Sequence, residues 1–317
     1  MDIRQLRYFV GIVQAGSLSR AADKLHIAQS AISHHLASLE AELERQLVTR
    51  GPKGIQLTEA GMVLYRHAEA ILRHLETAKQ DAMSALDVPS GRVSIGFPGF
   101  LTPLLGCELL GRIRTVYPHI LLYVSEASGR LLRERLINGR LDIALLYLGQ
   151  PERGLAVEPL VLEELLYGTA DPDTSPIGFA DAMQRPLLLA PPGSNSRDVA
   201  EAACKRHGLT VTPVAEIDTI NAMRRAIASG WGNSIMPWCA LHEGEGKVAL
   251  NCRRFADENL VRPIALCFPE AGQRSPAVEA VAQTLKSLVY ELIENGTWQG
   301  VSLIAPATEP SRAIASA

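Results

Sequence analysis

The chain has 317 residues and 47% of them are hydrophobic, which is enough for two or three cores and excludes a single-core domain. Its charged fraction of 21% is ordinary for a globular protein, so we expect a soluble multidomain chain. A formal net charge of -3 excludes a strongly basic protein, so any affinity for nucleic acid must come from local positive charge.

Three short helical patterns fill the first part of the chain. One runs from Ile3 to about Ala15, a second follows Ser17, a residue type that caps helices, and a third follows a break at His26 and Ile27. Each has one apolar face, and together the faces predict a three-helix core. These faces comprise Leu6, Phe9, Val10 and Val13, then Leu18, Ala21, Ala22 and Leu25, then Ile32, Leu36, Leu39 and Leu43.

The third helix has a polar outer face near its N-terminus. Gln29, Ser30, Ser33 and His34 lie there, and all can exchange hydrogen bonds with base edges or phosphates. Any amphipathic surface helix has a polar outside, so this face alone favours a solvated helix. The two helices before it favour a helix-turn-helix, in which the N-terminal residues of such a helix contact bases in the major groove.

A short hairpin is predicted after these helices, from Arg50 to Thr58, with glycine and proline at the turn. Arg50 and Lys53 flank that turn, and we expect them to contact phosphates. Residues 1–58 carry seven cations and five acids, hence a net charge of +2, which is weak for one module and doubles in a dimer. We therefore predict double-stranded DNA as a partner, with Gln29, Ser33 and His34 contacting bases.

A long helix is predicted from Thr58 to about Leu86. Its apolar or small residues fall in heptad steps, which is typical of a seam for a partner helix, and packing on its own chain is the alternative. The segment from Asp87 to Gly91 then stops the helix and forms a hinge. The seam positions are Leu64, Ala68, Ile71, Leu75, Ala78, Ala82 and Ala85.

Strands alternate with helices after the hinge, which predicts an α/β domain with two lobes and a cleft between them. The first lobe has predicted strands at 92–97, 120–124 and 143–147, with helices at 102–117 and 131–137. The second has strands at 186–190, 211–217 and 234–236, with helices at 197–207 and 220–229. A last helix at about 276–293 returns to the first lobe.

Three segments at strand ends are candidates for lining the cleft, where small ligands bind in such folds. The last two could offer backbone N–H groups and hydroxyls to an anion, although simple helix capping explains the same residues. The first segment is bulky and apolar, so the pocket suits a less polar ligand or is filled by the protein. The candidates are Pro98, Gly99, Phe100 and Thr102, then Ser128 and Gly129, then Ser194, Asn195 and Ser196.

The N-terminal run resembles the LysR-type transcriptional regulators in order and spacing over about sixty residues. The matching segments are Leu6-Arg-Tyr-Phe, Gly16-Ser-Leu-Ser-Arg-Ala-Ala, Gln29-Ser-Ala-Ile-Ser, Leu39-Glu, Arg50 and Leu57-Thr-Glu-Ala-Gly. Within that family, Ile27-Ala-Gln-Ser-Ala-Ile-Ser and Gly91-Arg-Val-Ser-Ile-Gly look most like the nitrogen-assimilation-control type. The chain departs from the family pattern before the hairpin, where Glu44 and Val48 replace the usual glycine and phenylalanine.

The resemblance implies a winged helix-turn-helix at residues 1–58, a linker and dimerisation helix at 59–88 and an effector-binding domain at 89–295. That domain would resemble type 2 periplasmic binding proteins, with one lobe at about 92–162 plus 263–295 and the other at about 163–262. It also implies a small-molecule effector, contact with RNA polymerase, and a homodimer or homotetramer. Residues 296–317, rich in Ala, Pro and Ser, are predicted to be a disordered tail.

Motifs of other protein classes are missing from the sequence. It contains no G-x-S-x-G, P-loop or H-E-x-x-H motif, so we predict no catalytic residue, no metal and no cofactor. Five widely spaced cysteines without a C-x-x-C pair indicate neither a disulfide framework nor a zinc site. Without a signal-peptide pattern or a long apolar run, a cytoplasmic protein with no membrane partner is expected. A two-lobed α/β enzyme or a ligand-binding protein remains the alternative.

Overall fold

The computed structural model describes residues 1–51, 54–83, 88–149, 154–242, 250–270 and 274–304, without the side chains of residues 50, 77 and 80–83. The chain divides into two compact units. The N-terminal unit is residues 1–91 with 137–140, and the C-terminal unit is residues 92–136 with those from 141 onward. None of the described helices combines the length and apolar character needed to cross a membrane.

The N-terminal unit is mainly helical, with a two-stranded hairpin. Its core confirms the three predicted apolar faces, except that Leu43 ends the third helix and is 37% exposed. The elements are α1 (Ile3–Ala15), α2 (Leu18–Leu25), α3 (Gln29–Glu42), β1 (Val48–Gly51), β2 (Gly54–Leu57) and α4 (Glu59–Met83).

Local backbone chemistry sets the ends of these helices. The Asp2 carboxylate accepts a hydrogen bond from the Gln5 backbone N–H at 2.8 Å, and the Ser17 hydroxyl caps α2 as predicted. Gly16 ends α1 in the left-handed region, which glycine adopts at no steric cost. His26 ends α2 with φ at 54°, and Glu44 follows α3 with φ at 51°. Both residues occupy a backbone conformation that glycine favours.

The first half of α4 packs on its own unit, which corrects the prediction of a continuous partner seam. Ala68 is fully buried in the three-helix core, and Leu64 packs against it. Leu75 is half-buried, whereas Ile71 and Ala78 are exposed. The Ala82 side chain and residue Ala85 lie outside the described part. The seam prediction is wrong at Leu64 and Ala68, because an apolar helix face can be buried against its own chain as well as against a partner helix.

The C-terminal unit is built on one eight-stranded sheet with the order β10-β6-β11-β5-β3-β4, and β9 and β12 also pair with β6. A separate parallel pair joins β7 and β8. The strands are β3 (Gly91–Phe97), β4 (Ile120–Glu126), β5 (Ile143–Tyr147), β6 (Leu155–Thr169), β7 (Leu188–Leu189), β8 (Ala215–Glu216), β9 (Ser234–Pro237), β10 (Asn251–Arg253), β11 (Val261–Pro269) and β12 (Val301–Leu303). The helices are α5 (Cys107–Val116), α6 (Gly129–Ile137), α7 (Phe179–Gln184), α8 (Asn195–Arg206), α9 (Ile220–Ala228), α10 (Trp238–His242) and α11 (Pro276–Glu294), and a π-helical turn at Thr102–Gly106 precedes α5.

Two lobes form around this sheet. The first lobe packs α5 and α11 on one face of β3 and β5, around residues such as Ile95, Leu145 and Val281. The second lobe packs α7 and α8 around Phe179 and Ala203, and a further cluster lies under α9. The long strand β6 pairs with β11 over its whole first part and with β9 and β10 near its end, so it runs from one lobe into the other.

An ion-pair cluster on the first lobe ties β6 to its surroundings. The Glu158 carboxylate contacts Arg274 and Lys286, each at 2.6 Å. Burial raises the pKa of Glu158, but these two cations outweigh burial and hold it below its ordinary value.

The predicted disordered tail begins too early. Trp298 is only 2% exposed and lies in the core of the first lobe, and β12 pairs antiparallel with β6 at Val301 to Leu303. The Ala, Pro and Ser content of the tail as a whole masked one buried aromatic residue followed by a short strand. Residues 305–317 lie outside the described part of the chain.

Candidate DNA interface and interlobe cleft

The exposed face of α3 carries the predicted base-contacting residues. Gln29, Ser30 and His34 are exposed, and Ser33 is half-buried on the same helix. Opposite them, Ile32, Leu36 and Leu39 are buried in the core, which confirms the helical period from which the face was predicted. The structure therefore places all four polar residues near one end of α3.

The N-terminus of α3 has no side-chain cap. Its N-cap is Ala28, and no side chain accepts a hydrogen bond from the first-turn N–H groups in the described residues. Unpaired N–H groups together with the helix dipole make the beginning of a helix attractive to an anion such as a phosphate. This end of α3 thus combines polar side chains with donors that can be satisfied from outside the protein.

Backbone contacts fix the hairpin beside the helices. β1 and β2 pair antiparallel from Val48 opposite Leu57 to Gly51 opposite Gly54. The Ile55 N–H donates to the Gly16 carbonyl at 3.0 Å, and a Cβ at Gly54 would lie 2.7 Å from that same oxygen. Gly54 has φ at 93°, so both its backbone angle and this close approach require glycine.

Glu40 joins α3 to the hairpin. Its Oε1 accepts hydrogen bonds from the backbone N–H of Leu47 at 2.8 Å and of Val48 at 3.3 Å. Of the two predicted phosphate contacts, Arg50 lies on β1 with its side chain outside the described part, and Lys53 lies outside the described residues altogether.

A fully buried ion pair joins the neighbouring strands β6 and β11, in the part of the sheet that connects the two lobes. Glu163 and Arg262 are direct partners in the strand register, and each side chain is 1% exposed. The Glu163 Oε2 accepts from Arg262 Nε at 2.9 Å and from Nη2 at 2.7 Å. Cys239 Sγ lies 3.6 Å from the other carboxylate oxygen. Burial raises the pKa of Glu163 even though the Arg262 charge lowers it.

Side chains from both lobes contact the Arg262 guanidinium. It stacks 3.6 Å from the ring centre of Tyr147 and lies 5.2 Å from that of Phe100, both in the first lobe. Asn195 Oδ1, at the start of α8 in the second lobe, lies 3.5 Å from its Nη1. A cation over an aromatic face is stabilised electrostatically, more strongly when both are desolvated. Arg262 therefore joins the crossing strands to both walls of the cleft.

Three buried hydroxyl oxygens make no hydrogen bond of regular geometry in the described structure, although one of them, on Tyr147, lies beside the Arg262 guanidinium. They belong to Thr102, Tyr147 and Ser194. Burial raises the pKa of Tyr147 well above its ordinary value, so its hydroxyl stays neutral. Ser194 is the N-cap of α8, but its side chain does not cap that helix, so the capping explanation fails there. An unsatisfied buried hydroxyl is costly, which favours a partner that arrives from outside the protein.

The structure brings together only part of the predicted cleft set. Phe100 and Asn195 contact Arg262. Ser194 precedes Asn195 in the chain and Thr102 follows Phe100 by two residues, and neither makes a described contact with Arg262. Pro98 is buried in the turn that leads to Phe100, and Gly99 lies near Glu126. Ser128, Gly129 and Ser196 make no described contact with the Arg262 group.

Sequence reasoning missed Tyr147, Glu163 and Arg262. One signal was present, because Glu163 and Arg262 each interrupt an apolar run, and charged residues are almost never fully buried unless they are paired. The partner of each residue could not be read from the sequence, since the pairing depends on the register of two strands about a hundred positions apart.

Two family models match the chain. One, for the bacterial regulatory helix-turn-helix protein of the lysR family, matches residues 3–62, and the other, for the LysR substrate binding domain, matches residues 86–289. The chain belongs to the LysR family. It is a DNA-binding transcriptional regulator of the LysR type, and the resemblance in its N-terminal segments is confirmed.

Known relatives of this LysR-type regulator align over nearly its whole length. It is 37% identical to the nitrogen assimilation regulatory protein nac of Escherichia coli K12, over 95% of this chain and 100% of that one. The Klebsiella aerogenes protein of the same name is 35% identical with the same coverage. The prediction of similarity to the nitrogen-assimilation-control type is therefore confirmed.

Solved structures of LysR regulators share the fold. A full-length OxyR variant of Pseudomonas aeruginosa superposes with a TM-score of 0.70 at 24% identity, covering 91% of this chain and 94% of that one. Full-length CbnR in complex with its target DNA gives 0.68 at 21% identity, covering 91% and 100%. The predicted architecture of an N-terminal helix-turn-helix and a two-lobed α/β domain is confirmed.

Proposed function

We propose that this LysR-type regulator recognises its operator through the N-terminal half of α3. Base edges are contacted by Gln29, Ser33 and His34. The DNA backbone is contacted by Ser30, and its phosphates bind Arg50 and Lys53. The observation that carries this proposal is the exposed polar face at the uncapped beginning of α3. A glutamine there can pair with both N6 and N7 of adenine.

The test is binding of the purified protein to DNA from upstream of its own or a neighbouring gene, against unrelated DNA, at two salt concentrations. Gln29→Ala should lose about 1 to 3 kcal/mol at one base pair and blur sequence preference. Lys53→Ala should weaken all sequences alike and reduce the salt slope by about 1. Gln14→Ala, which removes an exposed glutamine of α1, serves as the matched control.

Two outcomes would contradict this assignment. If Gln29→Ala and Lys53→Ala both lost affinity uniformly across sequences, α3 would not read bases through Gln29. If wild-type protein showed no preference at either salt concentration, the proposed operator contacts would be wrong as a set.

We propose a homodimer or homotetramer as the DNA-binding form. The exposed apolar residues of α4 support a helix-to-helix contact, since Met62 is 53% and Ile71 is 39% exposed. In the C-terminal unit, edge strand β4 exposes Leu121 and Tyr123 and offers a second apolar surface for a tetramer. Light scattering, which measures molar mass in solution, would separate the two contacts. Ile71→Glu should lower the mass to that of a monomer or dimer, whereas Leu121→Glu should lower it only from tetramer to dimer.

We propose that the interlobe cleft binds a small-molecule effector and that the liganded protein changes its DNA affinity or its oligomer geometry in the cytoplasm, with RNA polymerase as a further partner. The unpartnered hydroxyls of Thr102, Tyr147 and Ser194 support a ligand there. A thermal-shift screen of metabolites should give a ligand whose effect is lost in Ser194→Ala and retained in Ser128→Ala, since the Ser194 hydroxyl is buried without a regular hydrogen bond and the Ser128 hydroxyl is not among such groups in the described residues. A ligand with equal effects on both variants would place the site elsewhere.

A further inference from the structure

A surface cavity of about 410 Å³ lies in the second lobe, apart from the residues that contact Arg262. Its walls are formed by residues 176–178 together with Asp181, Gln184, Arg185 and Arg253. Backbone pairing of Ile177 with residues 254 and 256 fixes one wall beside the other. The volume suits a small metabolite.

Two charges of opposite sign line this cavity without an ion pair. Arg185 and Asp181 are both exposed, and neither makes a salt bridge within the described residues. Arg253 differs, since its side chain is 7% exposed, pairs with Asp173 at 3.1 Å and donates to the Ser175 carbonyl at 2.6 Å. Of the charged side chains at the cavity, Arg253 is therefore already paired with Asp173. Arg185 and Asp181 form no salt bridge within the described residues.

Tyr167 adds a buried hydroxyl behind the arginines. It lies directly opposite Arg253 in the pairing of β6 with β10 and is fully buried, and its phenol oxygen lies within hydrogen-bonding reach of the Arg185 side chain. Burial raises the pKa of Tyr167, and the nearby charges of Arg185 and Arg253 counter part of that rise. The hydroxyl thus stays protonated behind the cavity wall, where it helps to position the Arg185 guanidinium.

We propose that this cavity binds a small zwitterion of the α-amino acid class. The carboxylate is held by Arg185, which Tyr167 positions from behind, and the ammonium group is held by Asp181. A simple anion would satisfy Arg185 and be repelled by Asp181, whereas an amino acid matches both charges. The site is separate from the interlobe cleft and does not depend on the proposed DNA contacts.

The test is isothermal titration calorimetry of the full-length protein, without DNA, against the common L-amino acids. At least one should bind, and its α-deaminated acid and its carboxamide should each bind about tenfold or more weakly, because each lacks one charged contact. Arg185→Gln and Asp181→Asn should each weaken binding about tenfold or more. Arg225→Gln, which removes another exposed arginine of the second lobe, should bind like wild type.

Three results would overturn the proposal: no heat with any amino acid, equal binding of the deaminated acid, or wild-type affinity in Arg185→Gln. Tyr167→Phe keeps the ring in the core and should weaken binding by a smaller factor. Because Arg185 and Asp181 are exposed, we expect their variants to fold, which tryptophan fluorescence during urea unfolding will check. The readout is ligand binding alone, so failure here leaves the DNA proposal standing, and the reverse also holds.

Discussion

Replacing Glu163 by glutamine should destabilise the C-terminal unit strongly. The variant keeps the shape of the side chain but removes the negative charge. In the wild type that charge accepts two hydrogen bonds from Arg262, at 2.7 and 2.9 Å. An arginine cannot lose its proton in a protein, so its charge would remain buried without a partner. Removing one member of a buried pair costs about 3 to 5 kcal/mol, and we expect Glu163→Gln to fall in that range.

The opposite variant, Arg262→Met, should behave differently with pH. Glu163 would then be buried without its cation, and burial already raises its pKa in the intact pair. A raised folded-state pKa means that the folded protein binds more protons than the unfolded chain above the unfolded pKa of about 4.3. Its stability should therefore be highest at low pH and fall as pH rises through the folded pKa, by at most about 1.4 kcal/mol per pH unit.

Urea unfolding followed by tryptophan fluorescence measures this unit selectively. All three tryptophans, Trp231, Trp238 and Trp298, lie in the C-terminal unit. The double variant Glu163→Gln with Arg262→Met combines the two single substitutions and removes both charges, so it should recover much of the loss and reveal a coupling free energy of about 3 kcal/mol.

If the two single losses added up to the double loss, the charges of Glu163 and Arg262 would not be coupled and this prediction would be wrong. The same prediction covers the pH profiles of the two single variants. It is also refuted if Glu163→Gln and Arg262→Met have the same pH dependence between pH 5 and 8, a window chosen because an unperturbed glutamate of pKa about 4.3 would give a flat profile there.

Three further predictions concern stability. Glu44→Gly should stabilise the N-terminal unit by about 1 kcal/mol in thermal unfolding, because residue 44 has φ at 51°, a backbone angle that strains residues other than glycine. The control Ala41→Gly, inside α3, should cost about 0.5 to 1 kcal/mol. Equal effects of the two variants would mean that the backbone at Glu44 is not strained. Trp298→Ala should cost about 3 to 5 kcal/mol in urea unfolding and Trp231→Ala, which is 72% exposed, about 0.5 kcal/mol or less; a mild Trp298 variant would mean that this residue is outside the core. The folded-state pKa of Glu158 is lowered, so its ion pairs stabilise the protein above the unfolded pKa and lose that effect as pH falls through the folded pKa. Glu158→Gln should therefore make the free energy of unfolding fall less steeply on the acid side of its pH profile. An unchanged acid side would contradict this prediction.

The DNA-binding unit could be predicted from the sequence because its structure is local. The period of three and four residues places Ile32, Leu36 and Leu39 inside and Gln29 and His34 outside, and the helix follows that period. The sequence could not show that Ala68 packs into the same core, since a heptad strip reads the same whether its partner is another chain or its own unit.

The long strands of the C-terminal unit were harder to predict. β11 contains Pro263, a residue that cannot donate to a sheet and argues against a central strand, yet it pairs on both sides. β6 contains adjacent glutamates at 163 and 164 within an apolar run, which hides the strand pattern. The Glu163–Arg262 pair depends on these two strands, so the sequence could suggest Phe100 and Asn195, which contact Arg262, but not Glu163 and Arg262 themselves.

The buried hydroxyls limit how an effector could act in the cleft. The Thr102, Tyr147 and Ser194 oxygens have almost no accessible surface, so a ligand that reaches them must bind a conformation that exposes them. Moving such an equilibrium from 1:99 to 99:1 requires about 5.5 kcal/mol of preferential binding. Three hydrogen bonds to neutral hydroxyls contribute about 1.5 to 4.5 kcal/mol in total.

Hydrogen bonding alone therefore falls short of a complete switch. The remainder must come from apolar contact, and Phe100 is the side chain placed to provide it, since it packs against the core of the first lobe and against a cluster of the second. Burial of apolar surface contributes about 25 cal/mol per Å², so about 40 to 160 Å² of ligand surface closes the gap. The effector proposed for this cleft should accordingly combine hydrogen-bonding groups with an apolar body, and a ligand with only one of these features should shift DNA binding partially.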